Sequence, residues 1–105
     1  MANQREQSST NLTEMIDLQK SVEYQAGNVV SRTILNKPTG TLTVFAFDQG
    51  QGLSEHTAPF DATILILDGQ ARITIDGKPH RLEAGQLIVM PANHPHAVHA
   101  EQRFK

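Results

Sequence analysis

Cysteine and tryptophan are absent from this chain of 105 residues, and tyrosine occurs once. Without cysteine, neither a disulfide framework nor a thiolate metal site can form. Four phenylalanines are the only other aromatic side chains, so the core has to be mainly aliphatic. A chain of this length suits one domain with a single modest core.

Long apolar runs and an excess of positive charge are also missing. No apolar stretch approaches the roughly 18 residues needed to cross a bilayer, and the first ten residues, MANQREQSST, lack the apolar stretch of a secretory signal. Nine Lys and Arg against eleven Asp and Glu give a net charge of −2. We therefore expect a cytoplasmic protein that binds neither nucleic acid through a basic face nor a membrane.

The first 22 residues differ in composition from the rest of the chain. Residues 1–10 are polar and charged, which predicts a flexible tail, because such a segment cannot bury enough apolar area to offset its ordering entropy. Within residues 11–22, apolar residues recur at helical spacing, and Asn11 with Glu14 resembles a weak capping box. This pattern predicts a short N-terminal helix or a turn.

The remainder of the sequence alternates apolar, β-branched runs with turn residues. The predicted strands are 29–35, 41–47, 63–67, 71–75, 78–82, 86–90 and 97–104. Asp76-Gly77 is a strong hairpin signal, because both residues tolerate positive φ. Phe45 and Phe47 alternate with aliphatic residues, which predicts a strand covered on both faces. Short strands separated by glycine turns indicate a single all-β domain, a sandwich or barrel, over residues 11–105.

Five histidines provide the candidate chemistry: His56, His80, His94, His96 and His99. Neutral imidazole is the commonest metal ligand near neutral pH. Residues two apart on a strand share a face, so His94 and His96 are expected to point inward together if Pro95 leaves the alternation intact. His99 has the opposite parity and is expected to face solvent or a partner subunit. His80 lies in a hairpin strand and is expected on the surface.

Two spaced motifs make the chain resemble the cupin superfamily, whose members are small β-barrels of the jelly-roll or double-stranded β-helix type. The family motifs read G, five residues, HxH, three or four residues, E, six residues, G, and then G, five residues, PxG, two residues, H, three residues, N. The matching residues here are Gly50, His56 and Gly69 in the first motif, and Gly85, Pro91 and His96 in the second. The resemblance spans roughly residues 40–100 and implies a small cupin jelly-roll barrel. The stretch from His56 to Ala62 also looks like a small single-domain bacterial subgroup with one histidine in its first motif.

Departures from the family pattern decide what the resemblance implies for metal binding. Ala58 and Ala62 stand where the family has its second histidine and its glutamate. By resemblance, the remaining metal ligands are His56 and His96, with His94 as a candidate third. Catalytic metal sites normally use three protein ligands, so the resemblance implies weak binding of a divalent ion such as Zn, Fe, Mn or Ni.

Three functions from different classes are open, of which the third is a structural or interaction protein. In the first, a metal held by the histidines serves as a Lewis acid or binds dioxygen, for an isomerase or dioxygenase-like reaction on a small polar substrate. In the second, a metal-free barrel binds or senses a small molecule without chemistry, because the lost ligands leave room in its mouth. Catalysis is not implied by the fold itself, and Ser54 near His56 lies in no recognisable nucleophile elbow.

The predicted sheet also needs its edges covered. The chain ends soon after Phe104, where related cupins continue with a further apolar strand. Three arrangements are open: the sheet lacks this edge, the N-terminal segment supplies it, or a second subunit does. We expect a homodimer.

Overall fold

The structure, a computed structural model, describes residues 3–7 and 14–105. Its strands are β1 (Asn3–Gln7), β2 (Asn28–Lys37), β3 (Gly40–Phe47), β4 (Gly52–His56), β5 (Ala62–Leu65), β6 (Gln70–Ile75), β7 (Lys78–Glu83), β8 (Leu87–Met90) and β9 (His96–His99). A 3₁₀ turn at Gln19–Ser21 is the one helical element of the described residues. The all-β class predicted from the alternating runs is confirmed.

The strands form three separate sheets, in the orders β1-β2-β3, β4-β9-β6-β7 and β5-β8. The prediction of a closed barrel is therefore wrong in that respect, since no hydrogen-bonded ladder of the described strands joins one sheet to another. β7 ends the four-stranded sheet and contains Pro79, which has no N–H to donate and is suited to an edge strand. An open groove of about 400 Å³, lined by residues of β7 and β8, lies between that edge and the two-stranded sheet.

One face of the four-stranded sheet carries the main core. Ala71 and Ile73 of β6, Leu82 of β7 and Val98 of β9 are all buried there. They are Cα partners across the ladders, Ala71 with Leu82 and Ile73 with Val98, and therefore point to the same side. We call this side the inner face. The alternate strand positions of β5 and β8, among them Ile64 and Met90, pack against the same cluster.

The β2–β3 pair is covered on both sides, as the alternation of Phe45 and Phe47 with aliphatic residues predicts. Phe47 joins the main core, with its ring stacked on that of Phe104 at 4.6 Å between centroids. On the opposite side, Val30 and Val44 belong to a second cluster with Val22. This sheet therefore separates two apolar clusters.

The strand boundaries agree with the sequence pattern at most elements and differ at three. The predicted strand 63–67 ends at Leu65, and 97–104 ends at His99, after which Phe104 forms isolated bridges to Phe47 and Gly69. β4 was not predicted, because its five residues carry a single large apolar side chain. The hairpin at Asp76-Gly77 is confirmed, with φ of 52° and 78°. Gly50, Gly69 and Gly85 all adopt positive φ, as turn glycines should.

Of the helix or turn predicted for residues 11–22, the described part shows only a turn, and the helix is not confirmed. Residues 14–17 are non-helical, and the 3₁₀ turn that follows has no side-chain cap; residues 11–13 lie outside the described residues. A short helix is marginal in water without tertiary support. Here Ile16, Leu18 and Val22 pack instead against the second cluster.

Within the predicted flexible tail, residues 3–7 form β1, which pairs parallel with β2 from Asn3↔Asn28 to Gln7↔Arg32. The rest of that tail, residues 1–2 and 8–10, lies outside the described residues, so a domain boundary at residue 10 stays a prediction. β1 covers the β2 edge of its three-stranded sheet, and the source of the strand missing after Phe104 stays a prediction. Within residues 3–7 and 14–105, no helix is long and apolar enough to span a membrane.

Candidate functional site

Two short strands bring His56 and His96 together, although 40 residues separate them along the chain. β4 and β9 pair antiparallel, and a register shift after Leu53 makes His56 the direct partner of His96. Gly52 lets the strands approach, because a Cβ added there would lie 2.2 Å from the carbonyl oxygen of Val98. This role of Gly52 depends on the β4–β9 register, and no local sequence pattern marks it.

The two imidazole rings are in direct contact. Their Nε2 atoms are 3.1 Å apart, their ring centroids are 4.3 Å apart, and the ring planes meet at 75°. His96 is buried, with 4% of its surface exposed, whereas His56 is exposed. The convergence expected for these two residues is therefore present, at the boundary between core and solvent.

Backbone carbonyls fix the proton on the far side of each ring. The Nδ1 of His56 lies 2.8 Å from the carbonyl oxygen of Ser54, and the Nδ1 of His96 lies 3.2 Å from that of His94. A carbonyl oxygen only accepts, so each Nδ1 donates its hydrogen. In two neutral rings, both Nε2 atoms then carry a lone pair, and no hydrogen lies between the two nitrogens. Such an arrangement is stabilised by a cation or proton held between the nitrogens.

The separation of the two Nε2 atoms fits coordination of one metal ion. Nitrogens bound at about 2.0–2.1 Å to one ion are about 2.8–3.4 Å apart when the angle between them is about 90–109°, and the observed distance is 3.1 Å. A backbone partner on the other ring nitrogen is the usual support of a metal-binding histidine. The donor set therefore fits a first-row divalent ion with two protein ligands.

The structure does not bring His94 to this pair. Its Nδ1 lies 2.7 Å from Oδ2 of Asp76, in the turn between β6 and β7. β9 begins only at His96, after Pro95, so the strand alternation that would have aligned His94 with His96 does not extend to it. Along β9 itself the expected alternation is confirmed: His96 and Val98 are buried, while His99 is half-buried on the opposite face. In the part of the chain described, no group of three His, Cys, Asp or Glu residues is arranged to hold a metal.

The loop after β4 closes one side of the site without supplying a ligand. Its Ala58 carbonyl accepts a hydrogen bond from Asn93 N–H at 2.7 Å, and Oδ1 of Asp61 accepts one from Ala92 N–H at 2.8 Å. Asp61 therefore acts as a hydrogen-bond acceptor within the loop. Phe60 in the same loop is 64% exposed, so it does not fill the core.

Displaced pKa values occur where the C-terminal residues pack. The hydrogen bond from Arg103 and then that from Gly27 N–H hold the pKa of Asp48 below its usual 3.8. Burial, followed by the hydrogen bond to Asp68, raises the pKa of Tyr24. These groups stabilise the fold and form a cluster separate from the paired imidazoles.

Comparison with known proteins agrees with the fold. A family model for the cupin domain matches residues 43–103, which is more than half of the chain. No curated protein sequence matches. Among solved structures, a conserved protein of unknown function from Streptococcus pyogenes is 39% identical, with a TM-score of 0.84 over 90% of this chain and 83% of that one.

Two further structures extend the comparison. A cupin 2 conserved barrel domain protein from Leptotrichia buccalis is 42% identical, with a TM-score of 0.82; it covers 85% of this chain, which in turn spans only 43% of that one. A cupin superfamily protein from Desulfitobacterium hafniense is 26% identical, with a TM-score of 0.82 over 90% of this chain and 86% of that one. With the motif spacing and the all-β architecture, these matches show that the chain belongs to the cupin family.

Proposed function

We propose that this cupin binds a divalent first-row metal ion weakly through His56 and His96, and binds a small polar molecule at the same place. The observation that carries the proposal is the 3.1 Å separation of two Nε2 atoms whose Nδ1 hydrogens are both donated to backbone carbonyls. When bound, such an ion supplies a Lewis acid.

The two histidines have different parts in the proposed site. His96 is buried and held by the β9 ladder, so its ring is the fixed ligand. His56 is exposed at the end of β4 and closes onto the ion from the solvent side. With two protein ligands, the remaining coordination positions belong to water or to a bound molecule, and the affinity is lower than that of a three-ligand site.

The test is a metal titration of tag-free protein by calorimetry, using Zn²⁺ and Ni²⁺. We expect one weak site in the wild type and none in the double variant His56→Ala with His96→Ala. His94→Ala is the matched control, because its ring contacts Asp76, and it should bind metal as the wild type does. The single variant His56→Ala keeps the test valid if the double variant does not fold, because it replaces an exposed side chain.

Either of two results would contradict the proposal. One is a wild-type protein that takes up none of Zn²⁺, Fe²⁺, Mn²⁺ and Ni²⁺. The other is a folded His56→Ala protein that binds metal as tightly as the wild type.

A metal-free binding protein is the second candidate, and the alanines at positions 58 and 62 favour it. In that case the paired imidazoles bind an organic molecule directly by hydrogen bonds. Thermal-shift screening distinguishes the two functions, since this candidate predicts stabilisation by organic ligands in the presence of a chelator. Stabilisation by metals alone would rule it out.

A further inference from the structure

The ionisable side chains on the inner face of the four-stranded sheet are all basic residues. The Cα partners in its ladders place the following side chains there: Leu53 and His56, Val98 and His96, Ala71, Ile73 and Ile75, and Lys78, His80 and Leu82. Among these the ionisable residues are three histidines and a lysine, with no carboxylate. This face is basic although the whole chain has a net charge of −2.

Lys78 lies in the same cross-strand row as the histidine pair. His56 is the partner of His96, His96 of Ile75, and Ile75 of Lys78, so the row crosses β4, β9, β6 and β7. Partners in a ladder project to one side. Lys78 and His96 are two strand spacings apart, about 9–10 Å between Cα atoms, and half-buried Ile75 forms the floor between them.

The adjacent row adds a second basic group, because His80 is the partner of buried Ile73. Lys78 and His80 are both exposed. Neither side chain makes a hydrogen bond or ion pair within the described part of the chain. The nearby loop carboxylates are engaged elsewhere: Asp76 with His94 and Asp61 with Ala92 N–H. Lys78, the cation on this edge, is therefore available to an external anion.

We infer that the inner face selects small organic acids, with Lys78 binding a carboxylate while the rest of the molecule extends over Ile75 to the histidine pair. This deepens the proposed function by naming the chemical class of its ligand. The inference rests on the proposed function only for the end of the ligand that contacts the histidines. The carboxylate end contacts Lys78 of β7 and does not depend on a metal. A neutral molecule of the same shape lacks the ion pair and binds more weakly.

The experiment uses succinate as the probe and succinamide as its neutral match, titrated into the full chain with and without one equivalent of Zn²⁺. We expect wild type to bind succinate more tightly than succinamide. Lys78→Gln should lower succinate affinity about three- to fivefold, the size of an exposed ion pair, and leave succinamide affinity unchanged. Lys37→Gln is the matched control, because Lys37 is exposed at the far end of β2. Circular dichroism confirms that each variant is folded.

The outcomes separate this inference from the metal proposal. If Zn²⁺ binds while Lys78→Gln and Lys37→Gln behave alike, the organic-acid inference is wrong and the metal site stands. If Zn²⁺ fails to bind but succinate is still preferred through Lys78, the metal site is wrong and the basic face stands. Absence of detectable succinate binding, or equal affinity for succinate and succinamide, also overturns the inference.

Discussion

Two backbone carbonyls determine what the paired imidazoles can do. The carbonyl oxygens of Ser54 and His94 accept the Nδ1 hydrogens, so the nitrogens that meet at 3.1 Å are both available as electron-pair donors. Two imidazoles in ordinary core packing would each find a donor or an acceptor of their own. Here a cation or a proton between the two nitrogens stabilises their contact, which makes the pair a candidate for coordination.

Asp48 provides a test of the electrostatics of single side chains. Its carboxylate accepts a hydrogen bond from Arg103 at 2.7 Å and another from Gly27 N–H at 2.7 Å, and these hold its pKa below 3.8. A lowered native pKa stabilises the fold above the unfolded pKa, and this contribution is lost as the pH falls through the native pKa. We predict that Asp48→Asn lowers the free energy of unfolding near pH 7 and flattens its decline below about pH 4.

Denaturant unfolding at a series of pH values measures this effect. Asp17→Asn serves as the control, because Asp17 is exposed and its contact with Lys20 is long, at 3.9 Å. An Asp48→Asn protein whose stability declines in acid as steeply as that of the wild type would show that the Arg103 pair contributes nothing.

The pairing of β4 with β9 depends on the absence of a side chain at Gly52. A Cβ there would lie 2.2 Å from the Val98 carbonyl oxygen, so the backbones would have to separate. We predict that Gly52→Ala lowers the free energy of unfolding by about 1–3 kcal/mol and weakens metal binding, since it moves His56 away from His96.

Gly40→Ala is the matched control, because Gly40 also begins a strand but has no atom within 4 Å of its added Cβ. It should unfold within about 0.5 kcal/mol of the wild type and bind metal normally. Equal stability and equal metal affinity in the two variants would contradict this account of the β4–β9 contact.

Elements with strong apolar alternation were predictable from the sequence, and the weaker ones were not. β2, β3, β6 and β7 were predicted within a few residues, because β-branched runs and turn residues mark their ends. β4 has one large apolar residue and two polar ones before His56, so no periodicity reveals it. The helical spacing near residue 16 has another physical cause, since Ile16 and Leu18 pack on the second cluster without forming a helix.

The two paired histidines of the candidate site could be predicted from the sequence, but the surroundings of the pair could not. The motif spacing singled out His56 and His96, which the ladder brings into contact. The prediction for His94 assumed that the strand alternation continues through Pro95. Its actual partner, Asp76, lies in the turn between β6 and β7. The alignment of Lys78 with the pair requires the registers of three ladders, and a single sequence does not contain them.

Across the whole molecule, one sheet face is apolar and uncovered. The outward positions of β5 and β8 are Thr63, Leu65, Leu87 and Val89, and the three aliphatic side chains are 45–57% exposed. The face has no charged side chain, so two copies could meet there without burying a charge. The expected homodimer therefore stays a prediction, now with a candidate contact surface.

We predict that sedimentation at micromolar concentration gives a dimer for the wild type and a monomer for Leu87→Lys. Leu42→Lys is the control, because Leu42 is 47% exposed on β3, outside this face. A monomeric wild type would contradict the dimer, and a dimeric Leu87→Lys protein would place the contact elsewhere.

The proposed site has two imidazoles from distant parts of the chain bound to one ion. A crystal grown with Zn²⁺ and measured for anomalous scattering shows whether they share it. We predict a single strong peak within about 2.0–2.2 Å of Nε2 of both His56 and His96. A peak at His94 or His80 with none between the paired rings would contradict the account, as would rings that lie apart on separate backbone partners.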